Sequence, residues 1–141
     1  MTGGTVTPVP QGDYVPARRH GGLIFTAGMT PRRDGVLIQR GPVGKDDPPE
    51  AWHDAVTLAC GNALIAARAM LAEGEEIAAV LNVTVYVAAE HGFTSHSRLA
   101  DSASRFLAAE LGAAGRSART AVGVATLPGD APVEIQLVVA V

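Results

Sequence analysis

Apolar and polar positions alternate with period two over Val80-Leu-Asn-Val-Thr-Val-Tyr-Val87. Leu81, Val83, Val85 and Val87 point one way, and Asn82, Thr84 and Tyr86 the other, which is the pattern of a half-buried strand. The same period runs through Val133-Glu-Ile-Gln-Leu-Val-Val-Ala-Val141 and predicts a last strand there, with Thr120 to Thr126 as the strand before it. Leu23-Ile-Phe-Thr-Ala27 is a short apolar run bounded by Gly21-Gly22 and Gly28 and reads as a strand. Thr30 to Gly35 carries turn residues, and Val36 to Arg40 is expected to return beside it.

From Ala51 to Ala72 the spacing becomes helical and stops at Glu73-Gly74. The apolar residues of this segment go almost all the way round, with Arg68 the main exception, so the helix should be buried on more than one side. A second helix is expected from Ser97 to Leu111, ended by the Gly112 to Gly115 segment. Seven of the nine prolines precede residue 50 and none falls between Glu50 and Leu127, so the long regular elements belong in the middle. The order is ββαβαββ, an α+β fold with a mixed sheet and both helices packed on one face.

If the last two strands form an antiparallel hairpin with Thr126 opposite Val133, alternation sorts their side chains. Thr120, Val122, Val124, Thr126, Val133, Ile135, Leu137, Val139 and Val141 then face the helices. Arg119, Ala121, Gly123, Ala125, Glu134, Gln136, Val138 and Ala140 occupy a second face that neither helix can cover. An uncovered, partly apolar sheet face predicts assembly through the sheet. On this register Arg119 and Glu134 share that face roughly 20 Å apart. A second subunit would have to supply one of them to any common site.

Composition narrows the class. The 141 residues amount to 14.4 kDa, one domain over 1–141. Hydrophobic residues make up 48% and charged residues only 18%, against about 25% charged in an ordinary domain. That excludes disorder and suggests that a partner covers part of the surface. A net charge of −3 and a pI near 5.7 leave no basic excess for phosphates, which argues against nucleic acid. The single cysteine, Cys60, excludes an internal disulfide and a cysteine-based zinc site, and is expected to be a small core residue. No basic and apolar leader opens the chain, and the greasy stretch Ala55 to Met70 is interrupted by Asn62 and Arg68. A cytoplasmic protein without a membrane span is expected.

Several segments together resemble the Rid (YjgF) family of reactive imine deaminases, whose relatives are often labelled endoribonuclease L-PSP. They are Gly12-Asp-Tyr-Val-Pro16, Leu23-Ile-Phe-Thr-Ala-Gly28, Gly61-Asn-Ala-Leu64, Ser117-Ala-Arg-Thr-Ala-Val-Gly-Val-Ala-Thr-Leu-Pro128 and Val133-Glu-Ile-Gln-Leu137. The resemblance covers nearly the whole chain and includes the family's arginine-to-glutamate spacing, here Arg119 to Glu134. It implies a chorismate-mutase-like fold and a homotrimer with clefts between subunits. It also implies hydrolysis of 2-imino acids and their enamine tautomers to 2-keto acids and ammonia, with no metal or cofactor.

In that scheme Arg119 grips a small carboxylate-bearing substrate through two parallel hydrogen bonds. Glu134 of a neighbouring subunit orients or deprotonates the attacking water. Tyr14, Gly28 and Met29 match pocket positions, Gly28 where backbone approaches the ligand closely. The chain departs from the family in reading Ala27-Gly28-Met29 where deaminases have Ser-Gly-Gln, and Ala121 where many have cysteine. The family's asparagine before the second helix has no counterpart, with Ser97 and Asp101 as candidates near that place.

The bland readings stand beside these. Arg119 and Glu134 could pair as an interface salt bridge, and Tyr14 could be ordinary packing. His91 and His96 are five apart, which is no zinc spacing. Arg32 and Arg33 read as solvated turn residues. The alternative to an enzyme is a non-catalytic trimer that binds a small carboxylate as a sensor or chaperone-like protein. An RNA-cleaving enzyme fits poorly with the acidic pI and the absence of a basic stripe.

Overall fold

The computed structural model describes residues 6–141. Its main sheet contains β1 (Ala17–His20), β2 (Leu23–Thr26), β5 (Ala79–Ala88), β6 (Ala118–Val124) and β7 (Val133–Ala140), and a separate two-stranded ribbon contains β3 (Arg32–Arg33) and β4 (Val36–Leu37). The two helices are α1 (His53–Arg68), preceded by a 3-10 turn at Pro49–Trp52, and α2 (His96–Leu111), followed by one at Gly112–Gly115. The sheet order is β1-β2-β7-β5-β6, with β6 parallel to β5 and every other pair antiparallel. This is the α+β architecture expected, two helices on a mixed sheet.

The core follows from the alternation. Val133, Ile135, Leu137 and Val139 of β7 and Val83, Val85 and Val87 of β5 are fully buried. Each such side chain stabilises the fold by about 1.5–3 kcal/mol relative to exposure. Helix α1 lies on them with Ala55, Ala59, Cys60, Ala63 and Ala67, and α2 closes over it with Leu99, Ala100, Ala103 and Leu107. Small residues on the α1 face let the helices approach the sheet and each other, which is why α1 is apolar on more than one side. Burial pushes the Cys60 thiol up to about 12, leaving it an inert core residue. Helix α2 ends where Gly112 takes a φ of 60°, a conformation glycine adopts without strain.

Three local expectations are corrected. Val36 does not return beside Leu23 to Ala27: β2 pairs with β1 and β7, and β4 pairs with the two-residue β3. Leu81 does not share the buried face of β5, because a bulge between Val80 and Asn82 turns Val80 inward and leaves Leu81 exposed.

The third correction matters most for the site. β6 and β7 are not a hairpin, because β5 lies between them and pairs with both. The eight residues from Ala125 to Pro132 carry the chain past the end of β5, where the Ala88 amide donates to the Pro132 carbonyl at 2.9 Å. This parallel placement reverses the assigned faces of β6. Arg119 aligns with Val83 and Ala121 with Val85 on the helix side, whereas Thr120 aligns with Thr84 and Val122 with Tyr86 on the open side.

Candidate functional site: two half-sites on opposite faces

Five positions were singled out by sequence, and the structure gathers four of them. β2 and β7 pair as far as Phe25↔Val138 and resume at the bridge Met29↔Ile135. Between these points Thr26, Ala27 and Gly28 oppose only Gln136 and Leu137, so one extra residue bulges out of β2. The buried Thr26 hydroxyl fills the gap in the ladder, accepting from the Leu137 amide at 3.0 Å and donating to the Ala27 carbonyl at 2.9 Å. Past the bulge, Met29 and Ile135 exchange backbone hydrogen bonds of 2.8 Å in both directions.

The bulge brings Gly28 against the side chain of Glu134. A Cβ at Gly28 would lie 2.7 Å from the Glu134 carboxyl carbon, so only glycine leaves the carboxylate where it is. Among the described residues Glu134 has no hydrogen-bond or ion-pair partner, and burial holds its carboxyl above the usual carboxylate range. The charged form is thereby penalised, and the group is a better base than a solvated glutamate.

Beside this bulge a cavity of 540 Å³ is lined by Tyr14, Gly28, Met29, Thr30, Arg33 and Asn62, among others. The Tyr14 hydroxyl accepts from the Gln11 amide at 3.1 Å, which folds the N-terminal segment over the opening. Asn62 on α1 donates to the carbonyls of Thr30 and Arg32 at 3.2 and 3.0 Å and holds the floor of the loop. Sequence reading named Asn62 only within a matched segment. A polar residue alone on an otherwise apolar helix was the signal that it holds something.

The fifth residue, Arg119, is elsewhere. It sits on the edge strand β6, two strands from β7 and on the helix-covered side, while Glu134 aligns with Tyr86 on the open side. The two do not share a face, contrary to the hairpin register. By strand spacing their Cα atoms are roughly 14 Å apart, less than the hairpin implied because the offset along the strands falls from about six residues to three.

Arg119 is held by α2. Its Nη1 donates to Asp101 Oδ1 and Ser104 Oγ, both at 2.9 Å, and its Nη2 to Ser97 Oγ at 2.8 Å and the Ser97 carbonyl at 3.1 Å. Ser97 and Asp101, the two candidates named near the start of the second helix, thus both meet Arg119. Farther along the same face, a Cβ at Gly123 would lie 2.8 Å from His96 Nε2, and His96 stacks edge-on against Phe93 at 5.0 Å. Ser104 and His96 were not assigned to a site from sequence. Their positions depend on how α2 crosses β6, which no local pattern reports. A cleft of 620 Å³ runs beside the cluster, lined by Asp101, Ser104, Arg105, Ala108, Arg116 and Ser117.

The face opposite the helices is apolar and bare. Leu23, Phe25 and Val122 are 40%, 46% and 39% exposed, with the half-buried Tyr86 and Val138 between them. No helix is long and apolar enough to cross a membrane, and no group of three or more metal-binding side chains comes together among the described residues.

Fold and site together define a small α+β protein with two incomplete half-sites, a free carboxylate beside a bulge and a tethered arginine at a sheet edge. Residues 4–141 match the family described as Endoribonuclease L-PSP, and the chain belongs to that family. It is similar to a protein of unknown function from Agrobacterium tumefaciens, with 33% identity and a TM-score of 0.85 over 94% of this chain and 85% of that one. It shares the fold of the Escherichia coli YjgF gene product (20% identity, TM-score 0.69, 97% and 94% covered). The same holds for Escherichia coli TdcF with bound serine (20% identity, TM-score 0.71, 99% and 96% covered). No curated protein matches the chain.

Proposed function

We propose that this protein is a cofactor-free hydrolase of small imines. It converts 2-imino acids and their enamine tautomers to 2-keto acids and ammonia in clefts between the subunits of a homotrimer. The observation that carries the reading is Glu134: a half-buried carboxylate without a counter-ion, pressed against a glycine that leaves room for a reacting group. Arg119, on the other face and at the far edge, can complement it only from a second copy. The bare apolar face beside Glu134 supplies the surface for such an assembly. A relative that holds serine in its structure supports a ligand of amino-acid size.

In this reading Arg119 holds the substrate carboxylate and Glu134 takes a proton from water as the oxygen adds to the C=N carbon. The resulting carbinolamine receives a proton on nitrogen, the C–N bond breaks, and ammonia leaves as the C=O bond forms. An enamine first gains a proton on its terminal carbon and becomes the imine.

The test generates 2-imino acids in situ with an amino acid oxidase and lets semicarbazide compete for them. Wild-type protein should suppress trapping, and Arg119→Ala should raise KM by about ten- to a hundredfold, the worth of a hydrogen bond between charged groups. Full activity in Arg119→Ala would remove the assigned role. Ala27, standing where a hydroxyl is usual, favours a second reading as a non-catalytic carboxylate-binding trimer. That reading predicts calorimetric binding of a 2-keto acid with no suppression of trapping. Sedimentation at micromolar concentration checks the assembly, and a monomer would defeat both readings.

A further inference from the structure

We propose that Asp101 is a built-in competitor for the anion-holding group Arg119, which weakens carboxylate ligands and tilts the cleft toward imines that carry no carboxylate. The inference rests on the reading of Arg119 as the group that faces substrate.

A guanidinium offers two N–H groups on each Nη and one on Nε. Here both Nη nitrogens are fully engaged: Asp101 and Ser104 take the donors of Nη1, and the hydroxyl and carbonyl of Ser97 take those of Nη2. Only Nε–H is left, and one donor cannot make the paired contact that a carboxylate prefers.

The partners are not equivalent. Ser97 and Ser104 are neutral and orient the fork. Asp101 brings a full negative charge and cancels the attraction that would draw an anion in from solution. Its side chain is 45% exposed against 18% for Arg119, so it can swing into water when displaced while the arginine stays in place. An incoming carboxylate must therefore replace Asp101, whereas a neutral imine need not.

A merely structural salt bridge would make removal of Asp101 either silent or harmful to binding, so the two roles differ in sign. The probe is 2-oxobutyrate, titrated calorimetrically into wild type, Asp101→Asn, Arg119→Ala and the double variant, each first shown to melt cooperatively. Asp101→Asn keeps an acceptor for Nη1 and removes the charge. It should tighten 2-oxobutyrate by roughly two- to fivefold, the worth of a partly exposed ion pair, and that gain should vanish when Arg119 is also replaced.

Unchanged or weaker binding in Asp101→Asn, no binding in either protein, or a gain that survives Arg119→Ala would overturn the proposal. Imine hydrolysis provides the second arm. The ratio of kcat/KM for a 2-imino acid to that for an imine without a carboxylate should rise by the same factor in Asp101→Asn. If wild type hydrolyses neither imine, the hydrolase reading fails, while the binding series still judges Asp101.

Discussion

Arg119 and Glu134 stand fifteen residues apart in the chain and live in opposite electrostatic circumstances. The arginine lies on the helix side of an edge strand, with a carboxylate, two hydroxyls and a carbonyl around it. The glutamate lies on the bare side of an inner strand with no partner among the described residues, and burial raises its pKa. One group is satisfied by its own chain and the other is not. A buried charge left without a partner is costly, and proteins keep such groups where a ligand, a neighbouring subunit or a reaction needs them. Within one chain, the glutamate is therefore the group left open to a ligand or a neighbour, and the arginine the group tethered by its own chain.

Changing the unpaired carboxylate should have the largest effect. Glu134→Gln removes the base and should lower kcat for imine hydrolysis by about a hundredfold or more. In wild type the rate should rise with pH through a midpoint above the ordinary glutamate value of about 4.3, and this limb should be absent from the variant. The sign follows from the raised pKa: the folded protein holds the proton longer, and ionisation costs stability as pH rises through that elevated value. A pH–rate profile and melting curves at two pH values check both statements.

Next comes the glycine that makes room for it. Gly28→Ala forces the carboxylate aside, because the new methyl group meets the Glu134 side chain. The displaced atoms belong to a flexible, half-exposed side chain, so the stability cost should sit at the low end of overpacking, about 1 kcal/mol. Activity should fall about ten- to a hundredfold from misplacement of the base. Equal losses of stability and activity in paired melting and rate measurements would break the assignment.

The smallest effect sharpens the contrast from a third place. Glu75 makes a two-pronged ion pair with Arg19 of β1, at 2.5 and 2.8 Å. It also accepts from the Ala72 amide, and together these hold its pKa down to about 2, with the arginine as the main cause. Its contribution to stability is present above the ordinary carboxylate range and disappears as pH falls toward 2. Both side chains touch solvent, so the effect is modest. An acid melting series of wild type beside Arg19→Ala should converge below that range and separate above it.

How much of this was legible beforehand divides cleanly by range. The period-two alternation of β5 and β7, the all-round apolar α1 and the glycine stop after α2 all describe how a segment meets its immediate surroundings. Those elements appear where the pattern put them, apart from shifts of a few residues at their ends. Gly28 meets Glu134 at the bulge between two adjacent strands, and Gly28, Met29 and Tyr14 line the cavity beside it. Asn62 was visible as a polar residue in an apolar helix and Ser97 and Asp101 as candidates near the start of α2, but Ser104 was not singled out, since their contacts depend on helix packing.

By itself the sequence determined most of the elements, the buried stripe of β7, that of β5 from Val83 onward and the identities of the candidate side chains, because backbone periodicity and side-chain chemistry are local properties. Only the tertiary structure decided that β5 lies between β6 and β7, and so placed Arg119 and Glu134 on opposite faces. Alternation says which residues of a strand face together, but not which neighbour the strand takes or which face turns to the core. The eight-residue connection is long enough either to close a hairpin or to pass one intervening strand. The choice went to the arrangement that buries Val83, Val85 and Val87 of β5 at the centre of the sheet, flanked on both sides.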